Sequence, residues 1–137
     1  RFSQRAMNTR SIPFSILVTM TLIMSCVFTQ AQASWVNGTV AQLQALDKIT
    51  ARISTLVAPI GEPVRFGTLE IVIQRCAFRP PEEPPENVAF LEIVDRGHDG
   101  VAPRRQIFSG WMFSSSPAVS AMEHPVYDVT LLNCYID

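Results

Sequence analysis

The sequence is poor in lysine, histidine and cysteine, which limits the chemistry that the chain can perform. Lys48 is the only lysine among 137 residues, beside two histidines and three cysteines. Without residues 1–33, eight basic side chains face twelve acidic ones, so the net charge becomes −4. Nucleic acids and anionic membranes bind clusters of lysine and arginine. We therefore expect neither a nucleic acid nor a membrane surface as the partner.

The sequence also lacks the common catalytic motifs. No G-x-S-x-G elbow surrounds the serines at 114–116, and the cysteines form no C-x-x-C pair. His98 and His124 are the only histidines, and a metal-assisted hydrolase would need them to converge with nearby carboxylates. The simpler interpretation places both histidines in polar loops and turns. We predict that the protein is not an enzyme and holds no cofactor or metal.

The first thirty-three residues have the features of a secretory signal peptide. A basic segment precedes an apolar run over residues 12–28, and Ala31-Gln-Ala33 follows as a small-residue cleavage site. Cleavage there would leave Ser34 as the new N-terminus, and Met7 is a candidate translation start. The apolar run is short for a membrane span, so an anchor would remain only if Cys26 were lipidated. Either form places the rest of the chain outside the cytoplasm, and we predict the periplasm.

Two cysteines, Cys76 and Cys134, remain after the leader. An even pair in an oxidising compartment predicts a disulfide bond. The bond would join positions 58 apart, which is worth about 4 kcal/mol of unfolding free energy through chain entropy. A redox dithiol would be closer in sequence, and a metal site would need more ligands.

The rest of the chain alternates between apolar and polar residues, as β-strands do. Six strands are predicted, over residues 49–55, 64–66, 69–76, 88–94, 106–113 and 126–136. Cys76 and Cys134 fall on the less apolar side of their strands. We therefore expect these two strands to be near neighbours, with the bridge crossing between them.

The strands and their Gly- and Pro-marked turns predict an all-β fold: a small antiparallel sandwich or barrel-like domain of six to seven strands. The domain is expected to span residues 46–137, after an N-terminal arm over residues 34–45 that is loose or forms a short helix. One helical turn is predicted after Ser116, with Pro117 at its first position. The Pro-rich segment 79–86 is expected to be a stiff, extended connection.

Five segments carry a resemblance to one known family. They are Lys48-Ile-Thr-Ala-Arg52, Pro63-Val-Arg-Phe-Gly-Thr-Leu-Glu70, Arg79-Pro-Pro-Glu-Glu-Pro-Pro-Glu86, Phe108-Ser-Gly-Trp-Met-Phe113 and Glu123-His-Pro-Val-Tyr-Asp128. Together they resemble the alphaproteobacterial family "domain of unknown function twenty-one fifty-five", over nearly the whole chain after residue 33. The resemblance implies a secreted envelope protein with a respiratory context, and it brings no catalytic residues with it.

The strand at residues 106–113 is apolar on both faces, so both faces need a cover. Phe108 and Met112 point one way, while Trp111 and Phe113 point the other. One pair can face the core, whereas the other needs a loop, the helical turn or a partner. An uncovered apolar patch with a tryptophan and a methionine would mark a binding surface.

We therefore predict a non-catalytic periplasmic protein-interaction module, accessory to an envelope or respiratory inner-membrane complex. The predicted partner contacts are Phe108, Trp111, Met112, Phe113, Glu123, His124, Tyr127 and Asp128. The alternative is a small-ligand or glycan binder that uses Trp111 as a stacking platform.

Overall fold

The fold is an antiparallel β-sandwich of two sheets. The computed structural model describes Gln32, residues 34–98 and residues 103–137, and Ala33–Asp137 form one compact unit. Its strands are β1 (Val36–Asn37), β2 (Val40–Asp47), β3 (Arg52–Pro59), β4 (Val64–Phe66), β5 (Leu69–Phe78), β6 (Asn87–Asp95), β7 (Arg105–Phe113) and β8 (Tyr127–Tyr135). None of the described helices is long and apolar enough to cross a membrane.

The larger sheet has the strand order β1-β5-β6-β7. The strands β1 and β4 pair with the same edge of β5, β1 near the C-terminal end of β5 and β4 near its N-terminal end. The smaller sheet has the order β3-β2-β8. The chain passes from one sheet to the other at Gly38, between β1 and β2, again after β3, and a third time between β7 and β8. The prediction of an antiparallel sandwich is thus confirmed, with eight strands where six to seven were expected.

The core lies between the two sheets. Side chains on a strand point alternately to opposite faces, and buried residues therefore alternate with half-buried ones over residues 69–73 of β5, 89–93 of β6 and 127–131 of β8. The largest fully buried side chains are Leu43, Leu69, Ile71, Ile73, Leu91, Ile93 and Val129. The predicted helical turn is a 3₁₀ turn over Pro117–Ser120 that packs against β7, without a side-chain cap from Ser116. Met122 follows it and is buried in the core.

Residues 34–45 do not form an arm, because most of them belong to strands. β2 begins at Val40 and lies in the middle of the smaller sheet, between β3 and β8. Its inward residues Ala41, Leu43 and Ala45 alternate with half-buried glutamines. The prediction was wrong because alanine and glutamine weaken the contrast between the two faces. The domain therefore starts before residue 46.

The strand predicted from residue 49 starts later, at Arg52, and its large aliphatic side chains Ile53 and Val57 point outward. The Asp47 carboxylate accepts backbone N–H bonds from Ile49 at 2.9 Å and Thr50 at 3.1 Å, which closes a turn before β3. Ile53 is 63% exposed, whereas Ala58 faces the core. The apolar side chains of β3 therefore do not identify its buried face.

The disulfide between Cys76 and Cys134 is present, and it joins the two sheets. A β-bulge interrupts the alternation shortly before each cysteine, at Gln74 in β5 and at Leu132 in β8. One extra residue moves every following side chain to the other face. Both cysteines consequently point into the core, contrary to the faces that strict alternation assigned to them.

Candidate binding surface

The outer face of the larger sheet carries exposed aromatic residues near the disulfide. Phe90 of β6 and Trp111 of β7 are cross-strand partners, and their rings meet edge to face with centroids 5.4 Å apart. Trp111 is 42% exposed, so neither the loop after β7 nor the 3₁₀ turn covers it. We call Trp35, Phe90 and Trp111 the aromatic patch.

Trp35 lies just before β1 and borders the same shallow cleft as Trp111. The cleft has a volume of about 230 Å³ and is lined by Trp35, Asn37, Arg75, Cys76, Ala77, Val88 and Trp111. The guanidinium carbon of Arg79 lies 4.2 Å from the centre of the Trp35 ring, which is cation–π geometry. Arg79 in turn donates a hydrogen bond to Glu83 at 2.8 Å. The Pro-rich loop between β5 and β6 therefore holds one wall of the cleft.

That loop is a turn and not an extended connection. The backbone N–H of Arg79 donates to the carbonyl of Glu86 at 3.0 Å, and the N–H of Glu83 donates to the carbonyl of Pro80 at 3.0 Å. These bonds fold residues 79–86 back on themselves. The prediction of a stiff, extended spacer is corrected accordingly.

Three arginines surround one glutamate at the far end of the same sheet face. Glu70 lies 3.0 Å from Arg96 and 3.9 Å from Arg65, and it also accepts a hydrogen bond from Arg104. The Glu70 side chain is only 14% exposed, whereas those of the arginines are 35–63% exposed. One carboxylate cannot neutralise three guanidinium groups, so positive charge is left facing the solvent. We call Arg65, Arg96 and Arg104 the arginine cluster.

The charge of this face is opposite to that of the chain after residue 33. The Arg79–Glu83 ion pair beside Trp35 adds no net charge to this face. Apart from that pair, four of the eight basic residues and two of the twelve acidic residues are on it or at its edge: Arg65, Arg75, Arg96, Arg104, Glu70 and Glu92. The outer face of the smaller sheet has a different character. Its outward positions combine the polar residues Gln42, Gln44, Thr55 and Thr130 with the exposed aliphatic side chains of Ile53 and Val57.

Of the four predicted contacts in β7, only two point outward. Phe108 packs against the core, and Met112 is 4% exposed inside it. Trp111 and Phe113 pair with outward residues of β6, and Phe113 is half-buried. The prediction that Phe108 and Met112 touch a partner is corrected, because both side chains hold the two sheets together.

His124 was also predicted as a contact, but its ring is buried and fully hydrogen-bonded. Its Nδ1 accepts the backbone N–H groups of Val126 at 3.0 Å and Tyr127 at 3.1 Å. Its Nε2 lies 3.1 Å from the carboxylate of Asp95. An accepting Nδ1 carries no proton, so this pattern assigns the proton to Nε2. His124 therefore has a structural role and does not face a partner.

Asp95 is the charged member of this pair. The backbone N–H of Gly97 and the ring of His124 donate to its carboxylate, and they lower the pKa of Asp95 to about 2 although burial raises it. Lys48 donates to the carbonyl oxygen of His124 at 2.9 Å. Together these bonds fasten the segment before β8 to the ends of β6 and β2.

The other predicted contacts near His124 do not join the aromatic patch. Tyr127 is buried, and its hydroxyl lies where a side chain at Gly67 would be, 2.3 Å from the position of a Cβ. Asp128 is on the outer face of the smaller sheet, opposite Leu46. Glu123 is exposed in the loop before β8. The predicted contact set is therefore split among the core, a loop and two different sheet faces.

The described residues do not assemble the catalytic alternatives. No group of three or more His, Cys, Asp or Glu side chains in residues 34–98 and 103–137 is placed to hold a metal ion. His98 is exposed in the loop after β6, while the ring of His124 is committed to Asp95. Asp99, a carboxylate next to His98 in the sequence, lies outside the described residues.

The serines after β7 serve a hydrogen-bond network around Glu86. Its carboxylate accepts the hydroxyl groups of Ser114 and Ser115 and the backbone N–H of Asn87. Burial raises the pKa of Glu86, but these hydrogen bonds together lower it below the ordinary value. The hydroxyl groups are thus engaged with a carboxylate that ties the loop after β7 to the start of β6.

Sequence reasoning found Trp111 and Phe113 on this face but missed Trp35, Phe90 and the arginine cluster. Trp35 was placed in an arm, and Phe90 was interpreted only as part of an apolar strand. The residues of the arginine cluster are far apart in sequence and meet at Glu70 through strand pairing. One signal was usable: the short turn at Gly67 sets Arg65 opposite Glu70 in a hairpin.

The fold and this surface define a small disulfide-linked β-sandwich with an aromatic, positively charged outer face. A family described as "Uncharacterized protein conserved in bacteria (DUF2155)" matches residues 41–134. The chain belongs to this family, which confirms the resemblance found in the sequence.

One relative extends the comparison. An uncharacterized protein of Rickettsia prowazekii (strain Madrid E) is 30% identical over 103 residues, which are 75% of this chain and 65% of that protein. The chain thus spans less than two thirds of that relative's length. No solved structure matches.

Proposed function

We propose that the protein is a non-catalytic periplasmic module that binds an acidic protein partner through the outer face of its larger sheet. The observation that carries the proposal is the uncovered aromatic patch, which lies on the same face as four arginines of an otherwise acidic chain. The partner is expected in an envelope or respiratory inner-membrane complex, to which this module is an accessory.

The composition of the face resembles a binding hot spot. Tryptophan and arginine are the residue types that most often dominate binding energy, and they act from the centre of a desolvated patch. Trp111 is positioned by Phe90 and Trp35 by Arg79, so both rings are largely ordered before a partner arrives. Order in the free protein reduces the entropy lost on binding.

The size of the cleft favours a docking surface over a closed ligand site. Its volume is about 230 Å³, whereas sites that enclose a small organic ligand usually measure about 300–1,000 Å³. A cleft of this size accepts one side chain of a partner. A single sugar ring stacked on Trp111 would also fit, so glycan binding remains the second candidate.

The charge of the face selects the chemistry of the partner. Arg75 borders the cleft, and the arginine cluster lies further along the same sheet. Complementary charge accelerates encounter and rejects partners of the same sign. An acidic segment with an apolar side chain matches both halves of the face, and its binding should weaken as salt is added.

Export is part of the proposal and is supported by two features. The N-terminal segment has the pattern of a secretory leader. The bond between Cys76 and Cys134 is of a kind that persists in oxidising compartments. Both features agree with a periplasmic domain.

Photo-cross-linking tests the docking face. A photoreactive phenylalanine analogue is placed at Trp111 and, as the matched control, at Val57, which is exposed on the smaller sheet. In intact envelopes, position 111 should cross-link an acidic segment of one protein, and position 57 should not. Arg75→Glu should reduce the yield about tenfold, since each 1.4 kcal/mol of binding is a factor of ten. Arg52→Glu, an exposed arginine of β3, should leave it unchanged.

Two results would count against this proposal. Equal cross-linking from positions 111 and 57 would show that the aromatic patch has no special role. A saturable change in tryptophan fluorescence on adding oligosaccharides, lost in Trp111→Ala and unaffected by Arg75→Glu, would instead identify a glycan binder.

A further inference from the structure

One carboxylate ties the beginning of the described domain to the Pro-rich loop. Glu83 accepts a hydrogen bond from the backbone nitrogen of Ser34 at 3.2 Å and another from the Ser34 hydroxyl at 2.8 Å. The same side chain accepts the guanidinium of Arg79 at 2.8 Å. Arg79 in turn lies over the ring of Trp35. Glu83 therefore connects Ser34 to the residue that forms one wall of the binding cleft.

Ser34 is also the residue that leader removal would expose. A signal peptidase that recognises the pattern Ala31-Gln-Ala33 would hydrolyse the peptide bond between Ala33 and Ser34. The oxygen of one water molecule completes the carboxylate of Ala33, and the nitrogen of Ser34 leaves as an amine. That amine takes up a proton, because an α-amino group is ordinarily protonated below about pH 8.

We propose that leader removal creates at Ser34 an α-ammonium group that binds the Glu83 carboxylate, and that this ion pair completes the Trp35 wall of the binding cleft. The proposal rests on the export that forms part of the proposed function. It adds a specific site at which processing changes the binding face.

The chemistry at this site favours the processed form. In the precursor the nitrogen of Ser34 is a neutral amide with one hydrogen, whereas an ammonium group has three hydrogens and a positive charge. Charge-assisted hydrogen bonds are shorter and stronger than neutral ones. Glu83 would then lie between two cations, the ammonium group and Arg79. The Ser34 hydroxyl and Arg79 already lower the pKa of Glu83, which keeps the carboxylate ionised near neutral pH.

The effect should be local and not global. The side chains of Arg79 and Glu83 are 24% and 26% exposed, so solvent screens the ion pair. The pair acts where a short segment must be ordered, at Ser34 and Trp35, whose only strand pairing nearby is the two-residue strand β1. We therefore expect processing to change the mobility of Trp35 more than the stability of the sandwich.

The test uses the full precursor, expressed and exported in a Gram-negative host and purified from the periplasm. N-terminal sequencing is the first measurement, and Ser34 is the expected first residue. The chain has two tryptophans, so a Trp111→Phe background leaves Trp35 as the only one. Acrylamide quenching of its fluorescence then reports the exposure of Trp35. Acetylation near neutral pH selects the α-amine over Lys48, because lysine holds its proton about two pH units higher.

Acetylation of Ser34 and the Glu83→Gln variant should each raise the quenching constant about twofold, the change expected from losing a partly exposed ion pair. Raising the pH through the range in which the α-amine deprotonates should have the same effect on the unmodified protein. Glu82→Gln, which changes an exposed neighbouring carboxylate, is the control and should leave quenching unchanged.

The outcomes separate this proposal from the export on which it rests. An unprocessed precursor would overturn both. A processed protein that begins at a residue other than Ser34 would overturn the ion pair and leave export intact. Equal quenching for the free, acetylated and Glu83→Gln proteins would also overturn the ion pair alone.

Discussion

At one end of the sandwich the two sheets are joined by the bond between Cys76 and Cys134, and at the other end by the hydrogen bond between His124 and Asp95. The cysteine Cα atoms are 6.0 Å apart, whereas sheets usually pack about 10 Å apart. We call these the disulfide end and the histidine end. At the disulfide end, the backbones of the two sheets are therefore closer together than in a typical sandwich.

The disulfide and the hydrogen bond between His124 and Asp95 depend on different properties of the residues around them. In the strand register, Ala89 lies opposite Cys76 and Ala41 opposite Cys134, so small side chains surround the bond. Gly38 lies against both sulfur atoms. The histidine end instead needs correctly placed donors and an ionised carboxylate. The disulfide end should therefore be sensitive to added volume, and the histidine end to pH.

The largest expected effect comes from removing the covalent closure. The variant Cys76→Ala/Cys134→Ala should lose about 4 kcal/mol of unfolding free energy, because the bond closes a long loop in the unfolded chain. Urea denaturation at neutral pH measures the loss. The wild-type protein in reductant is the control and should show a similar decrease. A loss below about 1 kcal/mol would show that tertiary packing alone closes this end.

The next effect tests the crowding around the bond. A Cβ at Gly38 would lie 2.2 Å from the sulfur of Cys134 and 2.9 Å from that of Cys76. Gly38→Ala should therefore cost about 1–3 kcal/mol, the usual range for overpacking. Most of this cost should disappear when both cysteines are alanine, which a double-mutant cycle measures.

Gly110→Ala is the matched control for that cycle. A Cβ at Gly110 would only touch the ring of Phe108, at 3.6 Å, which is ordinary contact distance. We expect a change within about 0.5 kcal/mol, whether or not the disulfide is present. If Gly38→Ala costs as much without the disulfide as with it, crowding by sulfur is not the cause.

The smallest effect concerns acid and the histidine end. The pKa of Asp95 is about 2 in the folded protein, below its ordinary value of 3.8. The stabilisation that the ionised Asp95 carboxylate gives to the folded protein is thus complete above pH 3.8 and is lost as the pH falls toward 2. After allowance for solvent screening, the amount is about 1–2 kcal/mol.

Asp95→Asn should remove that pH-dependent stabilisation, so wild type and variant should converge in urea denaturation as the pH is lowered. Hydrogen exchange adds a local readout. On acidification, the amides of Val126 and Tyr127 at the histidine end should lose protection before those of Gly38 and Thr39 at the disulfide end. Simultaneous loss of amide protection at both ends would show that the two ends of the sandwich do not open independently.

Much of the fold class could be predicted from alternation and turns. The strands β5 and β8 are visible because their residues alternate clearly before the cysteines. The pairing of Cys76 with Cys134 was predicted from the expected oxidising compartment and the even number of cysteines after residue 33. β2 was missed because its inward alanines look neither apolar enough for a strand nor unusual for a helix.

The rest depended on contacts that sequence spacing does not show. The bulges at Gln74 and Leu132 have no strong local signature, since either residue could occupy a regular strand position. The arginine cluster exists only because β4, β5 and the ends of the β6–β7 hairpin converge on Glu70. For the candidate surface, the sequence identified one central residue, Trp111, and the tertiary fold supplied its neighbours.

The paired bulges also constrain how the gene can change in length. Deleting Gln74 alone would remove the bulge and leave Arg75 facing outward and Cys76 facing inward, because side chains after Ile73 would then alternate without an extra residue. The same argument applies to Leu132. A single-codon deletion at either bulge is thus expected to leave oxidative maturation intact, whereas the loss of both residues between Ile73 and Cys76 would carry the cysteine to the solvent side.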